Sequence, residues 1–512
     1  MTRRKASHFR LLSLLLCICL LTGCQAKTQE TTANVVPLRE DTYEAPVGDR
    51  EGQYEMLATL YLPSADGTQL SPVSEALTFS ASTTQAETVL RALFAHPAGE
   101  DYETIPGYGK VTLSSTDAVS VSCGIATVNL SVAALSLSNT ELFTLCQAIA
   151  NTLCSLDDIT GVNVLASGVS PGLDTGGTLP IGCLSKNTLD DPIMLHGRLI
   201  SQRQGGLSGE TPFRVDAALY FPAQAGQGIL CETRTLKLAS ADLGLMTKAL
   251  LQALSDGASE LENTPDIPDL CALLQQEPMI LETQGTGQKT IALSFSEELN
   301  DALVQSGVTR SVMMASIATT LCTFLPNVTS VQVTIGSERV TALVPAGLYE
   351  NAGQTIGFSE GLMRRTDFSG FLLTNVRLYF PNADGTLCET TRSLPCAWAS
   401  SPRKLYQQLL LGPQYYDTAD GLKTVLPETL SDADLLGTYQ DGDTLLLNFS
   451  DRFQAAFEGQ NAAQEKNAVY ALVNTMTGNP SVRRVRFYFA GEQIDTLSGT
   501  LNMRGEFMRN IN

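Results

Sequence analysis

The stretch LYFPNADGTLCETTR at residues 378–392 decides how the chain is read, because it occurs in three forms. Residues 219–234 read LYFPAQAGQGILCETR, and residues 60–70 read LYLPSADGTQL. The tyrosines of the three forms are Tyr61, Tyr220 and Tyr379, separated by 159 residues each time. That period is far above the ~20–50 residues of solenoid repeats, so the repeated unit is a domain. The 512 residues agree with about three domains on length alone.

Around the third form, Val376, Leu378 and Phe380 alternate with Arg377 and Tyr379, the pattern of a half-buried strand. Pro381 ends it, Asn382-Ala383-Asp384-Gly385 supplies turn chemistry, and residues 387–394 return as the hairpin partner. Ser401-Pro402 opens a helix with Leu405, Leu409 and Leu410 on its buried stripe, and Gly412-Pro413 stops it. Leu445, Leu447 and Phe449 form a second strand. A second helix carries Val469, Leu472, Val473 and Met476, and Val485, Phe487 and Phe489 close the unit. Two helices on one face of a small mixed sheet predict an α+β domain.

The other copies keep this order. LNFS at 447–450 answers to VNLS at 128–131 and LSFS at 293–296, and VNTM at 473–476 to ANTL at 150–153 and TTL at 319–321. The first copy has His96-Pro97 where the third has Gly412-Pro413. The expected organisation is a divergent first domain at 54–170, a second at 213–345 and a third at 373–500. Connectors run at 171–212 and 346–372, where short hairpins after each copy are expected, and a tail at 501–512.

LYFP with its hairpin, LLLGP after the first helix, Leu426-Pro427, LNFS, VNTM and the closing VRFYFAG resemble the GerM-type sporulation and spore-germination domain, or GerMN. The resemblance implies three tandem α+β domains similar to the ring-building motifs of envelope-spanning complexes. It also implies a non-enzymatic role in sporulation, germination or the cell envelope at large, with other envelope proteins as partners.

Arg3, Arg4, Lys5 and Arg10 precede an apolar run at residues 11–21 that is too short to span a bilayer, and Leu21-Thr22-Gly23-Cys24 follows. This resembles a bacterial lipoprotein signal at 1–23, with Cys24 as the lipidation site and covalent diacylglycerol as the only expected prosthetic group. Residues 24–53 read as a flexible tether, and the expected location is the outer face of the cytoplasmic membrane. The formal charge is −20, and loss of the four basic signal residues leaves −24. Such a surface disfavours nucleic acid as a partner.

Little here suggests catalysis. Gly168-Val169-Ser170-Pro171-Gly172 matches G-x-S-x-G, but Pro171-Gly172 denies the serine the helix that a nucleophile elbow needs. Only His96 and His196 remain after His8 as candidate bases. Nine cysteines follow Cys24, none in CxxC spacing, and no metal-ligand set emerges; Cys231 and Cys388 read as equivalent places in two copies. The acidic run Asp256, Glu260, Glu262, Asp266, Asp269 lacks calcium-loop spacing. Arg377, Tyr379, Arg483, Arg484 and Arg486 form a candidate interaction face, and Trp398 reads as a core plug or an interface anchor. The leading expectation is a membrane-anchored assembly scaffold. A lipoprotein binding a ligand or wall fragment between domains is the alternative, and a wall hydrolase comes third. A deep interdomain pocket would favour the second reading, and exposed sheet edges the first.

Overall fold

The structure, a computed structural model, describes residues 43–50, 52–80, 84–173, 177–186, 213–262, 264–417, 419, 421–499 and 501–510. Cys24, the signal segment, His196 and residues 187–212 of the first connector lie outside the described residues. Residues 44–512 form one compact unit.

Each copy contains five strands and two principal helices in the same order. The first has β1 (Gln53–Pro63), β2 (Leu70–Ser80), α1 (Gln85–Ala95), β3 (Val119–Ser122), β4 (Ile125–Leu130), α2 (Asn139–Leu153) and β5 (Gly161–Ala166). The second has β6 (Phe213–Pro222), β7 (Ile229–Leu238), α3 (Leu243–Ser255), β8 (Met279–Glu282), β9 (Lys289–Phe295), α4 (Arg310–Phe324) and β10 (Val328–Ile335). The third has β11 (Leu373–Pro381), β12 (Leu387–Pro395), α5 (Pro402–Leu411), β13 (Leu435–Asp441), β14 (Thr444–Phe449), α6 (Ala462–Met476) and β15 (Arg484–Phe489). The fold class is α+β, as the periodicities indicate.

Local chemistry accounts for the boundaries. In the third hairpin turn, Asn382 Oδ1 accepts the N–H groups of Asp384 and Thr386, each at 3.0 Å, and Gly385 takes φ +82°. The Ser401 hydroxyl caps α5 at the Lys404 N–H, 3.4 Å, with Pro402 behind it. Asn461 and Gln464 close a capping box on α6, as Ser138 and Glu141 do on α2.

The layering differs from a single sheet with two helices on one face. In each copy the opening hairpin is its own two-stranded sheet, separate from the sheet that holds the parallel pair β4–β5, β9–β10 or β14–β15. The second helix of each copy packs on the hairpin and also connects the parallel strands. It is therefore covered on more than one side: every residue from Ser311 to Phe324 of α4 is buried. The threonine of the recurring helix motif fastens helix to hairpin, with Thr152 Oγ1 accepting from Tyr61 N at 2.9 Å and Thr320 Oγ1 from Tyr220 N at 3.0 Å. Tyr61, Tyr220 and Tyr379 are accordingly all at most 3 % exposed. Alternation suggested that they faced away from the core; both faces of the strand are covered.

The segments after each copy return to its closing strand. Leu184 bridges Val162, Met363 bridges Val331, and Phe507 pairs with Val485, all antiparallel. Short hairpins also form at Gly172–Leu173 with Leu179–Pro180 and at Ala342–Leu343 with Ile356–Gly357. The described parts of both connectors thus belong to the folded unit. So does the end of the segment read as a tether. Arg50 bridges Tyr439 in parallel with β13, Gly48 N donates to Leu436 O at 2.9 Å and Arg50 N to Thr438 O at 2.8 Å. Residues 46–50, with Gly52 and Gln53, form a strap on the third copy.

The three copies meet. Ser122 Oγ, at the end of β3, accepts from Cys231 N of β7 at 3.1 Å and donates to Leu373 O of β11 at 2.5 Å. One hydroxyl therefore joins all three copies, and a parallel bridge between Ile229 and Leu372 ties the second to the third.

Candidate functional site

The last residue of the opening stretch has a role that its sequence context does not announce. Arg392 is buried beneath the third hairpin and forms a bidentate pair with Asp417, Nε to Oδ1 at 2.9 Å and Nη2 to Oδ2 at 2.6 Å. Its Nη2 also donates to Gly412 O at 2.9 Å and its Nη1 to Gln408 Oε1 at 3.1 Å, while the guanidinium lies 5.8 Å from the Phe380 ring centre. The cation thus satisfies carbonyls at the C-terminal end of α5 and fixes the loop beyond it.

The second copy repeats the device. Arg234 donates to Ala253 O at 2.9 Å and Gly257 O at 2.7 Å, lies 5.4 Å from the Phe221 ring, and pairs with Glu232 at 2.7 Å. Burial alone would raise the Glu232 carboxyl, but the N–H groups of Glu260 and Ser259 and the Arg234 guanidinium together hold it below its usual range. In the first copy the same hairpin position is Glu75, opposite Ala58 as Arg234 is opposite Ala217 and Arg392 opposite Val376. Its carboxylate lies 3.7 Å from Nε2 of His96. A carboxylate in the hairpin and an imidazole after the helix replace the arginine, which explains why His96-Pro97 stands where Gly412-Pro413 does. Register also corrects the cysteine equivalence. Cys231 faces Tyr220, whereas Cys388 faces Phe380, and Glu389 occupies the place opposite Tyr379. The turns differ in length by one residue, which moves the two thiols to opposite faces.

The five residues read as an interaction face do not share an exposed surface. Tyr379 and Arg486 are each 2 % exposed. Arg484 spans Asp443 at 3.2 Å and Glu506 at 3.0 Å, and Arg483 is exposed. Arg377 points to Glu389 at 3.3 Å, where it is joined by Arg509 from the C-terminal segment at 3.5 Å and by the Tyr379 hydroxyl, which donates at 2.6 Å. β15 is covered by the chain end at residues 507–508, a pairing that strand alternation alone does not reveal.

Ser170 is 4 % exposed and donates its hydroxyl to Phe324 O at 3.4 Å, so it lies in the seam between the first two copies. Trp398 is half-buried, donating to Glu350 at 2.8 Å with Lys404 4.2 Å above its ring. Among the described residues no group of three or more His, Cys, Asp or Glu is placed to hold a metal ion.

A cleft of about 940 Å³ opens between the first and third copies, walled by Tyr54, Gln85, Asp157 and Asp158 on one side and Asn375, Arg377 and Arg509 on the other. Sequence reading had no access to it, because its walls come from residues hundreds of positions apart.

The family model described as Germane, sporulation and spore germination, matches residues 59–170 and 377–495. Two segments of the chain are Germane domains. The middle copy, outside the matched residues, has the same strand order and pairing as the two Germane domains that flank it. Among solved structures, the tandem GerMN domains of the sporulation protein GerM from Bacillus subtilis are 16% identical, with 60% of this chain and 99% of that chain covered and a TM-score of 0.22. A putative lipoprotein from Clostridium perfringens is 19% identical over 27% of this chain and 87% of its own, with a TM-score of 0.19. No curated protein matches.

Proposed function

We propose that this Germane-domain chain is an exported, non-enzymatic scaffold, anchored to the membrane by a diacylglyceryl group on Cys24, that binds other envelope proteins. The observation that supports it is the edge strand β8. In the sheets of the described residues, β8 bonds to β9 on one side and to no other strand. Met279, Ile280 and Leu281 are 48 %, 38 % and 44 % exposed, and Leu245 of the adjacent α3 is 51 % exposed. The corresponding edges in the flanking copies are covered: β3 meets β11 at Ser122, and β13 carries the strap. An open edge with apolar side chains is a template for strand addition by another chain.

A photo-crosslinker at Leu281 in living cells is expected to capture an envelope protein, and Ile280→Lys is expected to abolish the adduct. No protein adduct during growth or sporulation would overturn the reading. The anchor has a separate check. Cys24→Ala is expected to leave the protein unprocessed or released from the membrane fraction; unchanged fractionation without lipid labelling would refute it.

A further inference from the structure

The geometry points to a binding site, separate from the β8 edge, in the cleft between the first and third copies: a short peptide with a free ammonium and a free carboxylate would lie across it. The two walls differ in charge, and the strap adds to the lining Arg50 and Asp49, the latter paired with Arg403. On the third-copy side, Arg377 and Arg509 share the single carboxylate of Glu389, at 3.3 and 3.5 Å, and the Tyr379 hydroxyl draws on the same group at 2.6 Å. Two cations against one anion leave a positive excess, and Arg509 Nε is buried without a hydrogen-bond partner among the described residues. On the first-copy side, Asp157 and Asp158 are neighbours, and among the described residues neither forms an ion pair with a basic residue. Partial desolvation and then the Asp157 charge raise the Asp158 carboxyl, while a backbone hydrogen bond lowers it. An incoming ammonium would relieve that repulsion, as a carboxylate would relieve the excess opposite.

Size and lining narrow the class. About 940 Å³ is near the upper end of ligand cavities, roughly 300–1,000 Å³, and exceeds what one amino acid fills. Between the charged walls stand Gln85, Asn375, Ser401 and Ser481, whose amides and hydroxyls match the alternating donors and acceptors of a peptide backbone. Thr475, 1 % exposed, also lines the cleft, and its Oγ1 has no hydrogen-bond partner among the described residues. Its counterparts Thr152 and Thr320 spend the same atom on fastening helix to hairpin.

The test uses tri-alanine titrated calorimetrically into the purified full chain, beside its C-terminal amide, its N-acetyl derivative and free alanine. Tri-alanine is expected to bind saturably, each blocked peptide at least about tenfold more weakly, and free alanine more weakly still. Arg377→Ala should erase the penalty for the amide, and Asp158→Asn that for the N-acetyl group. Both side chains are exposed, and an unchanged thermal midpoint would verify the fold. The comparison among peptides needs no variant at all. Absence of saturable binding at millimolar tri-alanine, equal binding of the blocked peptides, or an unchanged preference in both variants would overturn the proposal. A negative result here leaves the β8 reading intact, since Leu281 crosslinking reports on a different copy.

Discussion

Arg392→Ala is expected to lower the stability of the chain by about 3–5 kcal/mol, read from the urea midpoint, because it leaves a buried carboxylate without its counter-charge. Both side chains of the Arg392–Asp417 pair are fully buried. Removal of the guanidinium also strips donors from Gly412 O and Gln408 Oε1 and opens the space beside Phe380. Lysine should not rescue the loss, since one ammonium cannot reproduce a bidentate fork. Replacing both partners by apolar residues, Arg392→Met with Asp417→Leu, should cost less than Arg392→Ala alone, because no charge is then stranded. If the double variant is the less stable of the two, the pair is contributing through attraction and not through mutual neutralisation. Arg403→Ala sets the contrast. Arg403 pairs with Asp49 at 2.6 Å, but both are partly exposed, and its loss should cost about 1 kcal/mol or less.

The contrast between these two arginines shows what a sequence makes legible. The hairpin, the capped helices and the α+β class follow from residues within a few positions of one another: Asn382 and Gly385 make a turn wherever they stand, and Ser401-Pro402 starts a helix. Arg392 needs Asp417, which lies in the loop beyond α5, and nothing in the spacing of the two marks them as partners. Ser122 is a further case. It reads as a polar residue at a strand end, yet it joins β7 and β11 from two other copies. Period-two alternation assigns one face of a strand to the core and the other to solvent, and it fails for Tyr379 and Arg486 because a second layer covers the other face. The repeat itself held the missing signal: the arginine that ends ETR and ETTR, with Glu75 and His96 altered together in the first copy, is one contact written twice and rewritten once.

The strap is the other feature that the local pattern concealed, and Gly52→Ala should detach it. Gly52 is buried against β13, and a Cβ placed on it would stand 1.4 Å from Gln440 O, a backbone atom that cannot rotate away. The expected result is loss of hydrogen-exchange protection at the Gly48 and Arg50 amides, which donate to Leu436 and Thr438, with a loss of about 1–3 kcal/mol from enforced overpacking. Gly437→Ala should act from the opposite side, because its Cβ would lie 2.5 Å from Gly48 O. Acid should loosen the same contact by another route. The Arg403 hydrogen bond, opposed by burial and aided by the Arg403 charge, holds the Asp49 carboxyl below its ordinary 3.8. A carboxyl depressed in the folded state stabilises above its unfolded value and loses that contribution as pH falls through the lowered one. Protection at Arg50 should therefore persist at neutral pH and decline below about pH 4, with Asp49→Asn showing a smaller decline. Full protection of the Gly48 and Arg50 amides in Gly52→Ala would mean that the strap accommodates the added Cβ and stays paired. Unprotected amides in the parent chain would instead mean that the strap does not pair with β13 in solution and that the edge of that sheet is as open as the edge of β8.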